Sequence, residues 1–247
     1  MKFWNPIRYA AGWLATGVLF GVVAAGNATA AESLRITVFG GTGNIGKRIV
    51  SEAVNRGHQV TVISRDPSRV KNQPGGVSVK QGNVLDVEQV AKLAAGQDVV
   101  ISAVGADRAN NPDYHIYRKA GESLVKALRT LGPKAPRLIV VGGAGSLEIR
   151  PGVLLVTTIP EAYKAEVLGQ QEALDYYRTV ADVKWSYFSP AGSIAPGKRT
   201  GKFRLGGDQL VTDAKGDSNI SIEDYAVAMI DEAEKAQHVQ KRFTIGY

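Results

Sequence analysis

The sequence predicts an α/β fold: a doubly wound parallel sheet with a small β-rich insertion toward the C-terminus. Three observations carry that expectation. Short β-branched runs alternate with amphipathic helical stretches from residue 35 to residue 189. A glycine-rich turn joins the first of these runs to the first helix. Two later runs, Asp98 to Ala103 and Leu138 to Val141, are apolar almost throughout, as strands covered on both faces are.

The chain has 247 residues, 44% hydrophobic and 21% charged, enough for one large domain with a sizeable core. Its 28 glycines and 10 prolines are too few for a collagenous or low-complexity chain. It has no cysteine, which excludes a disulfide framework, an iron–sulfur cluster, a thiolate zinc site and a cysteine nucleophile. His58, His115 and His238 are scattered without metal-ligand spacing, so no metal site is expected. The formal net charge of +7 leaves an anionic partner to be considered.

Residues 1–30 differ from the rest. Lys2 and Arg8 come first with no acid, an apolar run extends from Trp13 to Ala25, and Ala28-Thr29-Ala30 closes it as a small-x-small site. That is the pattern of a cleaved secretory signal. The 13-residue run is shorter than the roughly 20 residues a spanning helix needs. An uncleaved membrane anchor and a misassigned start codon are the alternatives. Either membrane reading places the remainder outside the cytoplasm, in the periplasm, because the charges before the run are positive. Residues 31–247 then form a single domain, and loss of Lys2 and Arg8 lowers the charge from +7 to +5.

The mature chain opens with a strand, Arg35 to Phe39, and the turn Gly40-Gly41-Thr42-Gly43-Asn44-Ile45-Gly46. A helix follows from Lys47 to Arg56, Gly57 stops it, and Gln59 to Ile63 is the next strand. This is a dinucleotide-binding βαβ unit of Rossmann type. Glycine lets backbone N–H groups approach a pyrophosphate, and the helix N-terminus adds its positive end. At the end of the second strand an NAD site usually carries an acid for the ribose hydroxyls. Here Ser64-Arg65-Asp66 stands, with Arg65 19 residues past Gly46. A guanidinium pairs with a 2′-phosphate, which favours NADP; Asp66 keeps NAD open.

Val77 to Gln81 alternates like a strand and runs into Gly82-Asn83-Val84-Leu85-Asp86, followed by a short helix to about Ala94. The strand Asp98 to Ala103 ends in Val104-Gly105. A long helix from Asp113 to Leu131 stops at Gly132-Pro133. The strand Leu138 to Val141 ends in Gly142-Gly143-Ala144-Gly145-Ser146. A helix is expected from Ala165 to Thr179 and a strand from Lys184 to Ser189, before Pro190. Ligands of such sheets bind beyond the carboxyl ends of the strands, where these glycine-rich segments lie. Residues 191–220 are turn-rich and read as a substrate-side lid. A last helix from Ser221 to Ala236 begins with Ser221 capping toward Asp224, and Arg242 to Gly246 is a final strand.

On these motifs the chain resembles the atypical, NAD(P)H-binding branch of the short-chain dehydrogenase/reductase superfamily. The likeness is greatest to NADH–flavin reductases, relatives of the biliverdin-IXβ/flavin reductases and of NmrA-like regulators. It covers residues 34–247 and is most specific at Val140 to Leu147, Pro196 to Gly201 and Ile222 to Ala226. The resemblance implies that Gly40, Thr42, Gly43, Asn44 and Ile45 hold the pyrophosphate and Arg65 the adenosine phosphate. It places Asn83 and Val84 beside adenine, Ala103, Val104 and Gly105 along the ribose, and Gly142, Gly143 and Pro190 near the nicotinamide. The superfamily's usual base is Tyr with Lys four residues later. Here Tyr163 has Val167 at that spacing and Lys164 beside it, and Gly142-Gly143 replaces the usual Ser. A tyrosine without its lysine keeps a pKa near 10 and exchanges protons poorly at neutral pH.

Hydride transfer from NADPH to a flavin or other planar acceptor suits the missing triad, with Tyr163 and Ser146 as candidate catalytic residues. A non-catalytic NAD(P) sensor and a nucleotide-sugar-type epimerase or dehydratase are the alternatives. The basic clusters, Arg129-Lys134-Arg137 and Lys198-Arg199-Lys202-Arg204, are interrupted by Gly, Pro and apolar residues and match no nucleic-acid motif. The expected partner is a small planar molecule, with no nucleic acid, and with a membrane met only through the N-terminal segment.

Overall fold

A computed structural model of the chain describes residues 32–70, 75–109 and 112–247. The expected leader, residues 1–30, lies outside the described residues. Among the described residues no helix is long and apolar enough to cross a membrane.

Chain order gives β1 (Arg35–Phe39), α1 (Asn44–Asn55), β2 (Gln59–Ser64), β3 (Val77–Gln81), α2 (Val87–Ala94), β4 (Val99–Ser102), α3 (Ile116–Thr130) and β5 (Arg137–Val141). There follow β6 (Glu148–Arg150), β7 (Val153–Leu154), α4 (Glu161–Arg178), β8 (Trp185–Ser189), β9 (Ser193–Ala195), β10 (Arg204–Gly206), β11 (Asn219–Ser221), α5 (Ile222–Lys235) and β12 (Lys241–Gly246). Eight strands form the main sheet in the order β10-β12-β8-β5-β4-β1-β2-β3. Every neighbouring pair is parallel except β10 against β12. Strand order reverses between β1 and β4, the place where such sheets open a crevice.

Side-chain alternation divides the core into two layers. Ile36 and Val38 of β1 face Ile49, Val50 and Ala53 of α1 and Tyr225, Met229 and Ile230 of α5. Phe39, Ile63 and Val100 face Val90 of α2, Leu124 and Leu128 of α3, and Leu174 and Tyr177 of α4. Helices thus cover both faces, as a doubly wound sheet requires. Phe188 is stacked between Tyr225 and Phe243, with ring centroids 4.2 and 4.1 Å away. The Tyr225 hydroxyl donates to the Phe188 carbonyl at 2.6 Å, so a buried polar tip is satisfied where it packs.

A polar clasp holds α1 to α5. Arg56 donates to Glu52, Asp231 and Glu234 and to the Val227 carbonyl. Arg199 adds a bidentate bond to Glu52 at 2.8 Å for each nitrogen. Burial raises the Glu52 carboxyl less than these two guanidinium groups, Arg199 foremost, lower it, so it stays ionised. The Ser221 cap forms as expected, its hydroxyl accepting from the Asp224 N–H at 3.0 Å.

Two expectations change. Residues 191–220 reach the crevice only through Ala191, Gly192 and Ile194. The rest is committed elsewhere: β9 pairs with β11, β10 extends the sheet edge, and Thr200 and Gly201 bind the Asp224 carboxylate. The segment is therefore a brace rather than a lid. Second, β6 and β7 form an unforeseen hairpin whose pieces, three and two residues long, are too short to show periodicity. The basic clusters also have internal roles. Arg129 pairs with Asp182, Arg137 donates to the terminal carbonyls of α5, and Arg204 donates to the Thr212 and Tyr247 carbonyls.

Candidate functional site

A cleft of about 1460 Å³ runs along the carboxyl ends of β1, β2, β4, β5 and β8. At its centre the glycines have separate tasks. Gly40 has φ +77°, and a Cβ there would lie 2.3 Å from the Ala103 carbonyl oxygen. A Cβ on Gly46 would lie 2.2 Å from the Gly40 oxygen. Both are therefore required by packing. Gly43 is not: it is extended, and its Cβ would meet nothing nearer than 3.4 Å. Its missing side chain leaves the cleft open instead. Gly43 caps α1 without a side-chain bond, and no acid occupies the first turn. The N–H groups of Asn44, Ile45 and Gly46 therefore begin the helix without intrahelical acceptors, at its positive end. This geometry suits a pyrophosphate.

At the tip of β2, Asp66 is engaged locally. Its Oδ1 accepts from the Ser68 N–H at 3.1 Å and from the Ser68 hydroxyl at 2.6 Å, capping the short 3-10 turn Pro67–Arg69. Arg65 is exposed on the cleft, and no carboxylate among the described residues pairs with it. Asn83 and Val84 line the same end; the Asn83 Oδ1 accepts from the Leu85 N–H at 3.1 Å, a local turn. Thr42, Ala103, Val104 and Gly105 continue the wall toward β5.

Beyond β5 the cleft is built from close packing. A Cβ on Gly142 would lie 2.1 Å from the Tyr187 ring, and one on Gly143 would lie 2.6 Å from Gln170. The Tyr187 hydroxyl donates to the Gln170 carbonyl at 2.8 Å, locking α4 against β8. Gly142 and Gly143 thus line the cleft with Pro190, and also admit the groups that shape it.

The two expected catalytic side chains part here. Tyr163 lines the cleft and is 62% exposed. Lys164 pairs with Glu161 at 2.7 Å and is not turned to Tyr163. Ser146 is not at the cleft. It is buried beneath Arg242, whose Nη1 donates to its hydroxyl at 3.3 Å, so it supports the fold and does not face the site as a catalytic serine would. Gly145, immediately before it, is the last residue of the loop after β5 to line the cleft, and the β12 arginine holds Ser146 from below.

A polar group unread in the sequence stands near Tyr163. Arg108 clasps Glu166 in bidentate fashion at 2.9 and 2.6 Å, and the Tyr117 hydroxyl donates to Glu166 at 2.7 Å; all three line the cleft. Burial pushes the Tyr117 hydroxyl up to about 12, aided by its bond to the Glu166 carboxylate. Burial also raises the Glu166 carboxyl, but the bonds from Arg108 and Tyr117 outweigh it and hold it below the usual range. Arg108 and Glu166 are 58 positions apart, so no local spacing announces them.

A family model described as NAD(P)H-binding matches residues 40–235. A crystal structure of a protein provisionally named as exported, from Burkholderia pseudomallei, is 43% identical, covers 87% of this chain and 100% of its own, and superposes with a TM-score of 0.77. One provisionally named an epimerase, from Bacteroides thetaiotaomicron, is 36% identical over 87% and 98% of the two chains, with a TM-score of 0.78. One provisionally named an NADH-flavin reductase, from Streptococcus pneumoniae, is 34% identical over 87% and 99%, with a TM-score of 0.77.

Proposed function

The chain belongs to the NAD(P)H-binding family, and on that premise we propose that it is a reductase passing hydride from NADPH to a flavin-like planar acceptor. Its fold is that of NAD(P)-binding oxidoreductases. The observation that carries the finer reading is Tyr163: it stands on the cleft wall without a lysine partner, and Ser146 is buried away from it. Chemistry that needs a side-chain base on a sugar carbon is disfavoured, and chemistry needing only orientation is favoured.

When bound, the dinucleotide supplies the hydride; the acceptor gains both electrons and takes one proton from water. The chain's own residues hold and orient. The N–H groups opening α1 and the bare Gly43 fit the pyrophosphate, and Arg65 fits the 2′-phosphate. Asp66 has one carboxylate oxygen engaged by Ser68, which supports the NADP reading. Gly142, Gly143 and Pro190 bring uncharged backbone to the nicotinamide end.

Purified protein mixed with NADPH and FMN, riboflavin or menadione should consume the nicotinamide absorbance steadily. Tight NADPH binding with no turnover on any acceptor refutes the reductase reading and leaves a sensor. We further propose that residues 1–30 direct export, in keeping with the provisional name of the Burkholderia relative. N-terminal sequencing from fractionated cells should find a chain beginning near Ala31; an intact Met1 start in the cytoplasm refutes it.

A further inference from the structure

We propose that Tyr163 is a stacking platform for a flat, uncharged ring, and that with Leu155, Ile159 and Pro160 it forms the wall selecting the acceptor. The proposal rests on the reductase reading above and names the class of acceptor. Tyr163 is a large side chain left 62% exposed within a cleft. Among the exposed large apolar residues that are described, only it and Leu85 line that cleft. Leu85 lies beside Asn83 and Val84, at the end the adenine would take. Tyr163 lies at the opposite end, where the acceptor would sit. Exposed aromatic area inside a concave site is the feature a ring ligand buries most favourably.

The wall is fixed rather than loose. Leu155 donates its N–H to the Leu147 carbonyl at 2.8 Å and Val156 to the Gly145 carbonyl at 2.9 Å, tying the 3-10 turn to the glycine loop. The Tyr163 N–H donates to the Pro160 carbonyl at 3.0 Å, which fixes the backbone that carries the ring in the first turn of α4.

The charged groups nearby are bonded to one another. Arg108, Glu166 and Tyr117 are bonded to one another, and Lys164 is bonded to Glu161. The Tyr163 hydroxyl has no partner among the described residues. This end therefore presents apolar area beside one buried acceptor without a partner among the described residues, the Gln170 Oε1, which suits a ring with a single polar edge, such as an isoalloxazine, better than a polyhydroxylated sugar.

The test uses the full chain saturated with NADP+ and follows quenching of riboflavin fluorescence, which needs no turnover. Tyr163→Ala should weaken riboflavin binding about ten-fold, and Tyr163→Phe should rescue it. A tyrosine that held the ligand through its hydroxyl would give the opposite signature, with Phe failing to rescue. Failure of rescue, an Ala effect under two-fold, or no riboflavin binding by the unaltered protein each overturns the proposal. Riboflavin that binds on Tyr163 but is never reduced by NADPH refutes the reductase reading and leaves the platform standing.

Discussion

Replacing Gly43 and Gly46 separately by alanine should split cofactor binding from folding. Gly43 has φ −74° and ψ 172°, a conformation open to any residue, and its new Cβ would stand 3.4 Å from the nearest atom. Alanine is a poorer helix cap than glycine by about 0.5 kcal/mol, and restriction of the unfolded chain returns about as much. The melting temperature should therefore move by no more than about 2 °C. The same methyl enters the space offered to the pyrophosphate. Losing one or two charge-assisted N–H bonds costs about 2–4 kcal/mol, roughly 30- to 1000-fold in Kd for NADPH. At Gly46 the Cβ would lie 2.2 Å from the Gly40 oxygen and 2.9 Å from the Gly41 Cα, both backbone. Gly46→Ala should therefore destabilise the fold by about 3 kcal/mol, lowering the melting temperature by about 6–12 °C. Titration calorimetry with NADPH, alongside thermal melts, measures both. A Gly43→Ala protein that melts normally and still binds NADPH within three-fold would refute the placement of the pyrophosphate.

Arg65→Ala should weaken NADPH about 100-fold and NADH less than three-fold, since a phosphate–guanidinium pair is worth several hydrogen bonds. Equal losses in a binding titration would remove the preference for NADP. Ser146→Ala should leave acceptor turnover unchanged and lower the melting temperature by about 3 °C, as one bond to buried Arg242 is lost; a large fall in turnover would restore Ser146 to the chemistry. Buried Asp224 accepts from the Thr200 and Gly201 N–H groups and from the Thr200 and Tyr247 hydroxyls. Burial raises its carboxyl, but these bonds prevail and hold it below the ordinary aspartate value. Its contribution is thus complete above about pH 4 and lost as pH falls through the lowered folded value. Asp224→Asn should destabilise at pH 7 and flatten the acid limb of stability; an unchanged acid limb in denaturant titrations would contradict this.

The alternation of strand and helix is readable because the main-sheet strands from β1 to β8 carry β-branched and aromatic residues, in runs as in β4 and β5 or in alternation as in β3. The glycine turn was readable because its spacing is local. What sequence could not show was held by distant partners. Ser146 follows a glycine loop as a catalytic serine would, and only Arg242, 96 positions on, reveals it as buried support. Arg108, Tyr117 and Glu166 come from a loop and two helices, each unremarkable alone. The brace at residues 191–220 looked like a lid because its glycines and prolines mark turns, and turns do not say what they cover. The partners that settle it, Glu52 and Asp224, lie on α1 and α5.

The close approach of Gly40 to the Ala103 carbonyl has a consequence for motion. The turn after β1 and the loop after β4 meet backbone to backbone, with no side chain between them to act as a cushion. Neither can lift without the other, so their amides should exchange with solvent in one cooperative opening event. A dinucleotide that touches both loops would then suppress that single event, and slow the exchange of the two loops together.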